Sequence, residues 1–498
     1  MAVTVGPPMP MPTEGPTEGP TDRSGKHRAA REREFRRAKT LGGALGITVL
    51  GAALPGAGYL WTGRRLGYAV LLPFLAGIAL AAYYFGDLHR AADLAFDPAR
   101  LQVAQVGFIA LLAAWIFVVA TTYLMVRPIP MGMIEKGLGV IVVALLCVLG
   151  SIPAVQAVRI AHSQADLVNS VFDGENTATA PDDVTKEDPW GGRQQVNVLL
   201  LGGDGGVGRT GIRTDSVILL SMNTQTGKSV MFSLPRNMMN AQFPEDSPLH
   251  AVFPDGFRNA DGSDPGNWML NAVYSQVPAL YPHILGKSEN EGADAVKQAV
   301  AGSLGTHVDY YVLINLLGFQ QLVDAIGGVT VNINEPIAIN GNTDAGIPPT
   351  GYLEPGPDQH LDGFHALWYS RGRWGSDDYK RMLRQRCMVD ALVEAADPLT
   401  VLRRYQALAA AGKEILRTDV PRELMPAFVD LAMKVKERPM KSMAFVSSDK
   451  FFSGDPDYEW MHSVVDKALA PKKKHAAAPD ADGTPVKTKD ACGYDPVS

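Results

Sequence analysis

Four stretches of the 498-residue chain, 41–63, 66–86, 101–126 and 137–158, contain no Asp, Glu, Lys or Arg. Each reaches or exceeds the ~20 apolar residues that a helix needs to cross bilayer hydrocarbon. One such run reads equally well as a buried core helix. Four in succession point instead to insertion in a membrane. The first run begins only after a Pro-, Gly- and Arg-rich tail, so a cleaved leader is not expected. The overall averages conceal this organisation. A net charge of −6 and 46% hydrophobic residues would suit an ordinary soluble protein. They exclude a wholly disordered chain, and the mild acidity argues against a nucleic-acid-coating protein. Three cysteines exclude a disulfide scaffold.

Orientation follows from the positive residues. Residues 22–39 hold eight Lys or Arg, which favours a cytoplasmic tail over 1–40. Directly before a membrane segment, such a tract reads as a topology determinant or anionic-lipid contact rather than a DNA-binding arm. Arg64 and Arg65 place the first loop inside, and Arg127 and Lys136 the third. The acidic second loop (Asp87, Arg90, Asp93, Asp97, Arg100) suits the outside. Both flanks of 41–63 then lie inside, and this run is interrupted by glycines and Pro55. The expected membrane region, 41–160, is therefore a re-entrant hairpin over 41–63 followed by spans near 66–86, 101–126 and 137–158. It would export everything from about residue 160 onward.

The polar remainder divides into three. Residues 161–192 are acidic and rich in Asp, Thr and Pro, which reads as a linker. Residues 193–470 alternate strand-like and helix-like patterns, an α/β signature. Residues 471–498 lack periodicity and read as a disordered tail. The expected fold is an extracytoplasmic α/β domain, a mostly mixed sheet flanked by helices, preceded by an all-α transmembrane region. Cys147, Cys387 and Cys492 show no metal-ligand spacing, so a structural zinc site is not expected.

The strand pattern Val196–Leu201 runs into Gly202-Gly203-Asp204-Gly205-Gly206-Val207-Gly208, in which Gly203, Gly205 and Gly208 satisfy GxGxxG. A dinucleotide site needs a helix opening inside that loop. Here a second strand, Ser216–Met222, follows instead, and the match is a decoy. What remains is Asp204 in the turn and Arg213 and Asp215 at the entrance of the second strand. Two carboxylates at adjacent strand ends can hold Mg²⁺, which takes oxygen ligands and retains substrate phosphate. Taken singly, either aspartate reads first as a turn residue.

A third strand ends at Pro235-Arg236-Asn237, and a later segment carries Arg371, Arg373 and Asp378 into a helix with Arg381 and Gln385. At 100° per residue, Arg381 and Gln385 fall on the side of Met388 and Leu392, opposite Asp390 and Glu394. An inward arginine is costly unless an anion pairs with it. A solvated basic face is the ordinary reading of clustered arginines. Strand-end and inward positions favour a phosphate site, for which guanidinium groups are suited. His307 and His365 read as structural or exposed, and no Ser-His-Asp arrangement is evident.

Together these segments closely resemble the LytR-CpsA-Psr family of cell-wall glycopolymer ligases. The matching stretches are NVLLLGGDGGVGRTGIRTDSVILLSMNTQTGKSVMFSLPRN, LNAVYSQV, VDYYVLINLLGFQQLVDAIGGVTVNI, LDGFHALWYSRGR and SDDYKRMLRQR, in order over residues 196–395. The resemblance implies a membrane-bound enzyme acting on the outer side of the membrane. It would transfer a phosphate-linked glycopolymer from a polyprenyl pyrophosphate carrier to a peptidoglycan hydroxyl with Mg²⁺. By similarity Asp204 and Asp215 would hold the metal. Arg213, Arg236, Arg371, Arg373, Arg381 and Gln385 would clasp the pyrophosphate, and Asp378 would order that cluster. Among these, Arg236, Arg381, Asp204 and Asp215 would carry the catalysis. The segment Val308–Val331 is a candidate wall for the prenyl chain, or ordinary core, and the insert at 240–270 is expected to shape substrate choice. Asn237 departs from the Asp that commonly follows the family's Pro-Arg, and the multi-span region departs from the single anchor of many relatives. The alternative reading is a catalytically weak protein that binds lipid pyrophosphate or peptidoglycan.

Overall fold

The computed structural model describes residues 36–171, 176–203, 213–341, 346–396, 416–470 and 486–496. The chain divides into two compact units, Met1–Ile78 with Leu112–Ser151, and Ala79–Leu111 with Ile152–Ser498.

In the first unit, helix α1 (Leu41–Ala53) starts at Thr40, whose hydroxyl accepts from Gly43 N, and stops where Leu54-Pro55-Gly56 turns the chain. A five-residue helix, α2 (Ala57–Trp61), then returns. Ala38 N bonds Val126 O at 2.9 Å and Trp115 Nε1 bonds Ala52 O at 2.9 Å, while Tyr59 Oη meets Thr121 Oγ1 at 2.5 Å. The chain therefore descends beside the helix that carries residues 115–126, from the level of Val126 to that of Trp115, and climbs back to Thr121. At 1.5 Å per residue that depth is about 16 Å, roughly half of the ~30 Å hydrocarbon thickness. Gly58 permits the close return, because a Cβ there would lie 2.2 Å from Thr122 Cγ2. Residues 41–61 thus form a helix–turn–helix beside that helix.

Among the described residues, three helices are long and apolar enough to cross a membrane. They are α3 (Leu66–Phe85), α5 (Pro98–Val126) and α6 (Met133–Val171), with a short helix, α4 (Leu88–Ala95), between the first two. α4 belongs to the second unit and packs on a helix of its α/β domain, described below.

The domain is built on a seven-stranded mixed sheet. A meander of β1 (Gln195–Gly203), β2 (Thr214–Asn223) and β3 (Ser229–Leu234) is antiparallel throughout. Next come α7 (Pro248–Val252), α8 (Val273–Leu280) and α9 (Glu291–Leu304), then β4 (Tyr310–Asn315), parallel to β1. α10 (Leu316–Ile326) leads to the short strands β5 (Val329–Ile333), β6 (Ile337–Ile339), β7 (Gly351–Leu353) and β8 (Gly356–Leu361), which pair β5–β8 and β6–β7. α11 (Gly363–Arg371) and α12 (Asp378–Ala395) follow. β9 (Leu416–Thr418), α13 (Met425–Lys436), β10 (Lys441–Ala444), α14 (Tyr458–Leu469), β11 (Val486–Lys487) and α15 (Thr488–Ala491) complete the order. The sheet reads β11-β10-β3-β2-β1-β4-β9. One face buries Leu199, Leu219 and Phe232 against α8, α9 and α14. The other buries Ile218 and Met231 beneath Val389 and Val393 of α12. The expected mixed α/β fold is observed.

Two boundary readings are corrected. Residues 161–171 continue α6, and 176–192 are part of the domain rather than a free linker. Buried Asp294 accepts from Ala178 N (3.0 Å) and Thr179 N (3.1 Å), and Trp190 stacks edge-on to Phe428 at 5.0 Å. Acidic composition reads as a linker because the acceptor that ties the segment down lies more than 100 residues away. The second correction concerns the C-terminal segment. Residues 471–485 lie outside the described residues, but 486–496 are ordered. β11 pairs with β10, and Cys492 forms a disulfide with Cys387 across a Cα–Cα distance of 5.6 Å. A segment too short for its own periodicity is held by the sheet edge and a covalent bond.

Candidate active site

The end of β1, the start of β2 and the start of α12 meet on the α12 side of the sheet. β1 and β2 are antiparallel neighbours, which rules out the parallel βαβ unit that a dinucleotide motif requires. Asp204, with 204–212, lies outside the described residues. Arg213 is exposed, and its Nη2 bonds Asn267 Oδ1 of the insert at 2.5 Å.

Asp215, Arg236, Asp378 and Arg381 form a continuous charged chain. Arg236 Nη1 pairs with Asp215 Oδ1, and Arg236 Nε stands 3.8 Å from Asp378 Oδ1. Arg381 Nη2 approaches the same oxygen at 2.8 Å. That approach makes an ion pair but not an aligned hydrogen bond. Both Asp378 oxygens and Arg381 Nε and Nη2 are buried without a hydrogen-bond partner. Arg381 is 3% exposed. Burial, reinforced by Arg236 and Arg373, pushes its pKa down to about 10 against the pull of Asp378 and Asp215. The guanidinium is still charged at neutral pH, with donors to spare. Such a group is stabilised by a further anion.

The cluster opens on a cavity of about 290 Å³ lined by Leu200, Ile218, Val312, Phe319, Met388 and Leu392, with Asp215, Arg371, Arg381 and Gln385 at its polar end. Val312, Ile314, Leu316, Phe319 and Leu322 come from the segment expected to form the wall. Arg371 is half-buried, its guanidinium 5.2 Å from the Trp368 ring centre. Gln385 Nε2 donates to Ser370 O at 3.3 Å, and Arg373 is exposed within electrostatic reach of Arg381. A larger groove of about 1080 Å³ lies at the opposite end of the sheet, around His307 and Asp309, and contains none of these site residues.

Sequence reasoning missed Arg384, Asn267 and Trp368. Arg384 had a signal, since three residues after Arg381 it shares that inward face. Asn267 had none, because its contact with Arg213 depends on where the insert folds back. Asn237 adds a buried Oδ1 without a hydrogen-bond partner.

Residues 164–474 match the sequence profile described as the LytR_cpsA_psr family. The chain belongs to that family. One relative, Biofilm regulatory protein A of Streptococcus mutans, is 28% identical over 262 residues, covering 51% of this chain and 55% of the relative. Another is the polyisoprenyl-teichoic acid–peptidoglycan teichoic acid transferase TagU of Oceanobacillus iheyensis, 30% identical over 236 residues, 46% of this chain and 60% of the relative. The alignments thus span somewhat over half of these relatives' length. Protein gbs0355 from Streptococcus agalactiae, of known structure, is 24% identical with a TM-score of 0.42, covering 60% of this chain and 94% of its own.

Proposed function

We propose that this member of the family transfers a phosphate-linked glycopolymer from a polyprenyl pyrophosphate carrier to a peptidoglycan hydroxyl on the outer side of the membrane. The observation that carries this reading is an apolar cavity ending at a buried arginine whose donors exceed its partners. A prenyl chain suits the cavity and a pyrophosphate suits its charged end. In the reaction the acceptor oxygen attacks the glycan-bearing phosphorus. The bridging P–O bond breaks, polyprenyl monophosphate leaves and the hydroxyl loses its proton. Such transfers depend mainly on positioning and on neutralising charge spread over oxygens. Arg236, Arg371 and Arg381 supply positive charge where the leaving phosphate gains negative charge.

Mg²⁺ fits the donors at hand, since this ion commonly takes one or two carboxylates and completes its shell with water and substrate phosphate. Asp215 lies at the charged end of the cavity, a quarter exposed, and would hold the ion together with Asp204. The bound ion would neutralise phosphate oxygens.

Two observations support an extracytoplasmic domain. A disulfide belongs to an oxidising compartment. Helix α4, in the slightly acidic loop assigned outside by its charges, packs on α13, and Asp93 pairs with Lys186 at 2.9 Å. A multi-pass arrangement with 41–63 as a re-entrant hairpin satisfies both.

The test is incubation of the purified full chain with a polyprenyl-pyrophosphate-linked glycan, peptidoglycan and Mg²⁺. Transfer with release of polyprenyl monophosphate is expected, and chelation should abolish it. Tight binding without release would leave the binding reading suggested by Asn237.

A further inference from the structure

Helix α12 carries more buried positive charge than its ion pairs account for. Arg384 is 7% exposed, and among the described residues its one hydrogen bond runs from Nη2 to the carbonyl of Gly372. Its Nε is buried without a partner. Among the described residues no carboxylate bridges it. Of the acids that face it, Glu335 is held by Lys380 at 2.5 Å and Asp377 caps α12 through Lys380 N at 2.7 Å. Tyr369, also facing it, is a buried phenol. Behind the guanidinium lies a cavity of about 150 Å³, closed by Cys387 and Cys492 of the disulfide.

A buried arginine with so little compensation is a poor stabilising device, because an apolar side chain of similar length would pack there without desolvating a charge. What Arg384 does hold is the backbone between two site arginines. Gly372 separates Arg371 from Arg373, and a Cβ on it would lie 2.7 Å from Ala338 O. The segment is therefore wedged between β6 on one side and Arg384 on the other. Gln385, the next residue of α12, grips the adjoining carbonyl of Ser370 at 3.3 Å. Two neighbouring side chains of one helix thus hold the carbonyls of Ser370 and Gly372, which flank Arg371 and lead directly into Arg373.

We propose that Arg384 is a positioning residue, fixing the Ser370–Arg373 backbone against α12 so that Arg371 and Arg373 stand beside Arg381 before substrate arrives. This rests on the phosphate-site reading above and deepens it. Preorganisation is the physical gain, since arginines already placed lose little freedom on binding. The charge of Arg384 reaches the phosphate only indirectly, and its contribution lies in geometry.

The full chain in detergent micelles, with farnesyl pyrophosphate as probe, tests this. Titration calorimetry and thermal unfolding are measured for wild type, Arg381→Ala, Arg384→Met and Arg384→Lys. Arg384→Met should keep or raise the unfolding temperature while weakening binding by at least about tenfold. Arg384→Lys, which can still donate to the Gly372 carbonyl, should recover part of that loss. A Met variant that binds like wild type, or one that loses cooperative unfolding, overturns the positioning role. Wild type that does not bind the probe removes the phosphate site itself, and with it this role. Loss in Arg381→Ala with no change in Arg384→Met removes the positioning role alone.

Discussion

Arg381 is where the energetics of the proposed reaction concentrate. Its guanidinium is nearly fully buried and shares Asp378 with Arg236. An anion that develops charge during transfer would gain most from the group with the least water around it. Replacing Arg381 or Arg236 by Ala should each cost about 2–4 kcal/mol of transition-state stabilisation, read as kcat/KM in the transfer assay. Lys at 381 should not restore it, because the planar fork is lost. Near-normal turnover in both Ala variants would remove the arginine clamp. At the other end of the sheet, His307 Nε2 lies 3.3 Å from Asp309 Oδ2, and that hydrogen bond raises its pKa above the ordinary 6.5. The stability this contributes is fully present below the unfolded pKa and is lost as pH rises through the folded value. Unfolding temperatures at pH 5.5 and 8 should therefore converge in His307→Gln relative to wild type.

Among the elements, α12 is the one through which the site is assembled. It presents Arg381 and Gln385 to the cavity and Arg384 to the Gly372 carbonyl, while Cys387 ties it to the C-terminal segment. Its amphipathic spacing was readable, because Arg381, Gln385 and Met388 recur at helical intervals and all three are buried. The attachment of 486–496 to it was not, since neither cysteine carries a local sign of its partner 105 residues away. Closing so long a loop constrains the unfolded chain, and reduction should lower stability by about 2–4 kcal/mol. Denaturant unfolding with and without reductant measures this, and Cys492→Ser should reproduce the reduced curve. The α4 helix is the other unforeseen contact. Cysteines replacing Asp93 and Lys186 should be joined by a short bifunctional maleimide in intact membranes, and failure to join them would separate α4 from the domain.

At the scale of the whole molecule, topology is the quantity to test. A cysteine at position 97 should react with an impermeant maleimide added to intact cells, and one at position 64 should not. Reaction at 64 from outside would exclude the re-entrant hairpin. Local sequence is enough to specify the long apolar helices, the run of three strands and the inward face of α12. All three rest on periodicity or on absence of charge, which local sequence encodes directly. It also carried the residues of the candidate site in family order. Tertiary structure alone decided the docking of 176–192 and 486–496, the reach of Asn267 to Arg213 and the clamp of Arg384 on Gly372. These contacts join residues whose meeting depends on how separate elements pack. Their side chains show a donor or acceptor in the sequence but never its partner.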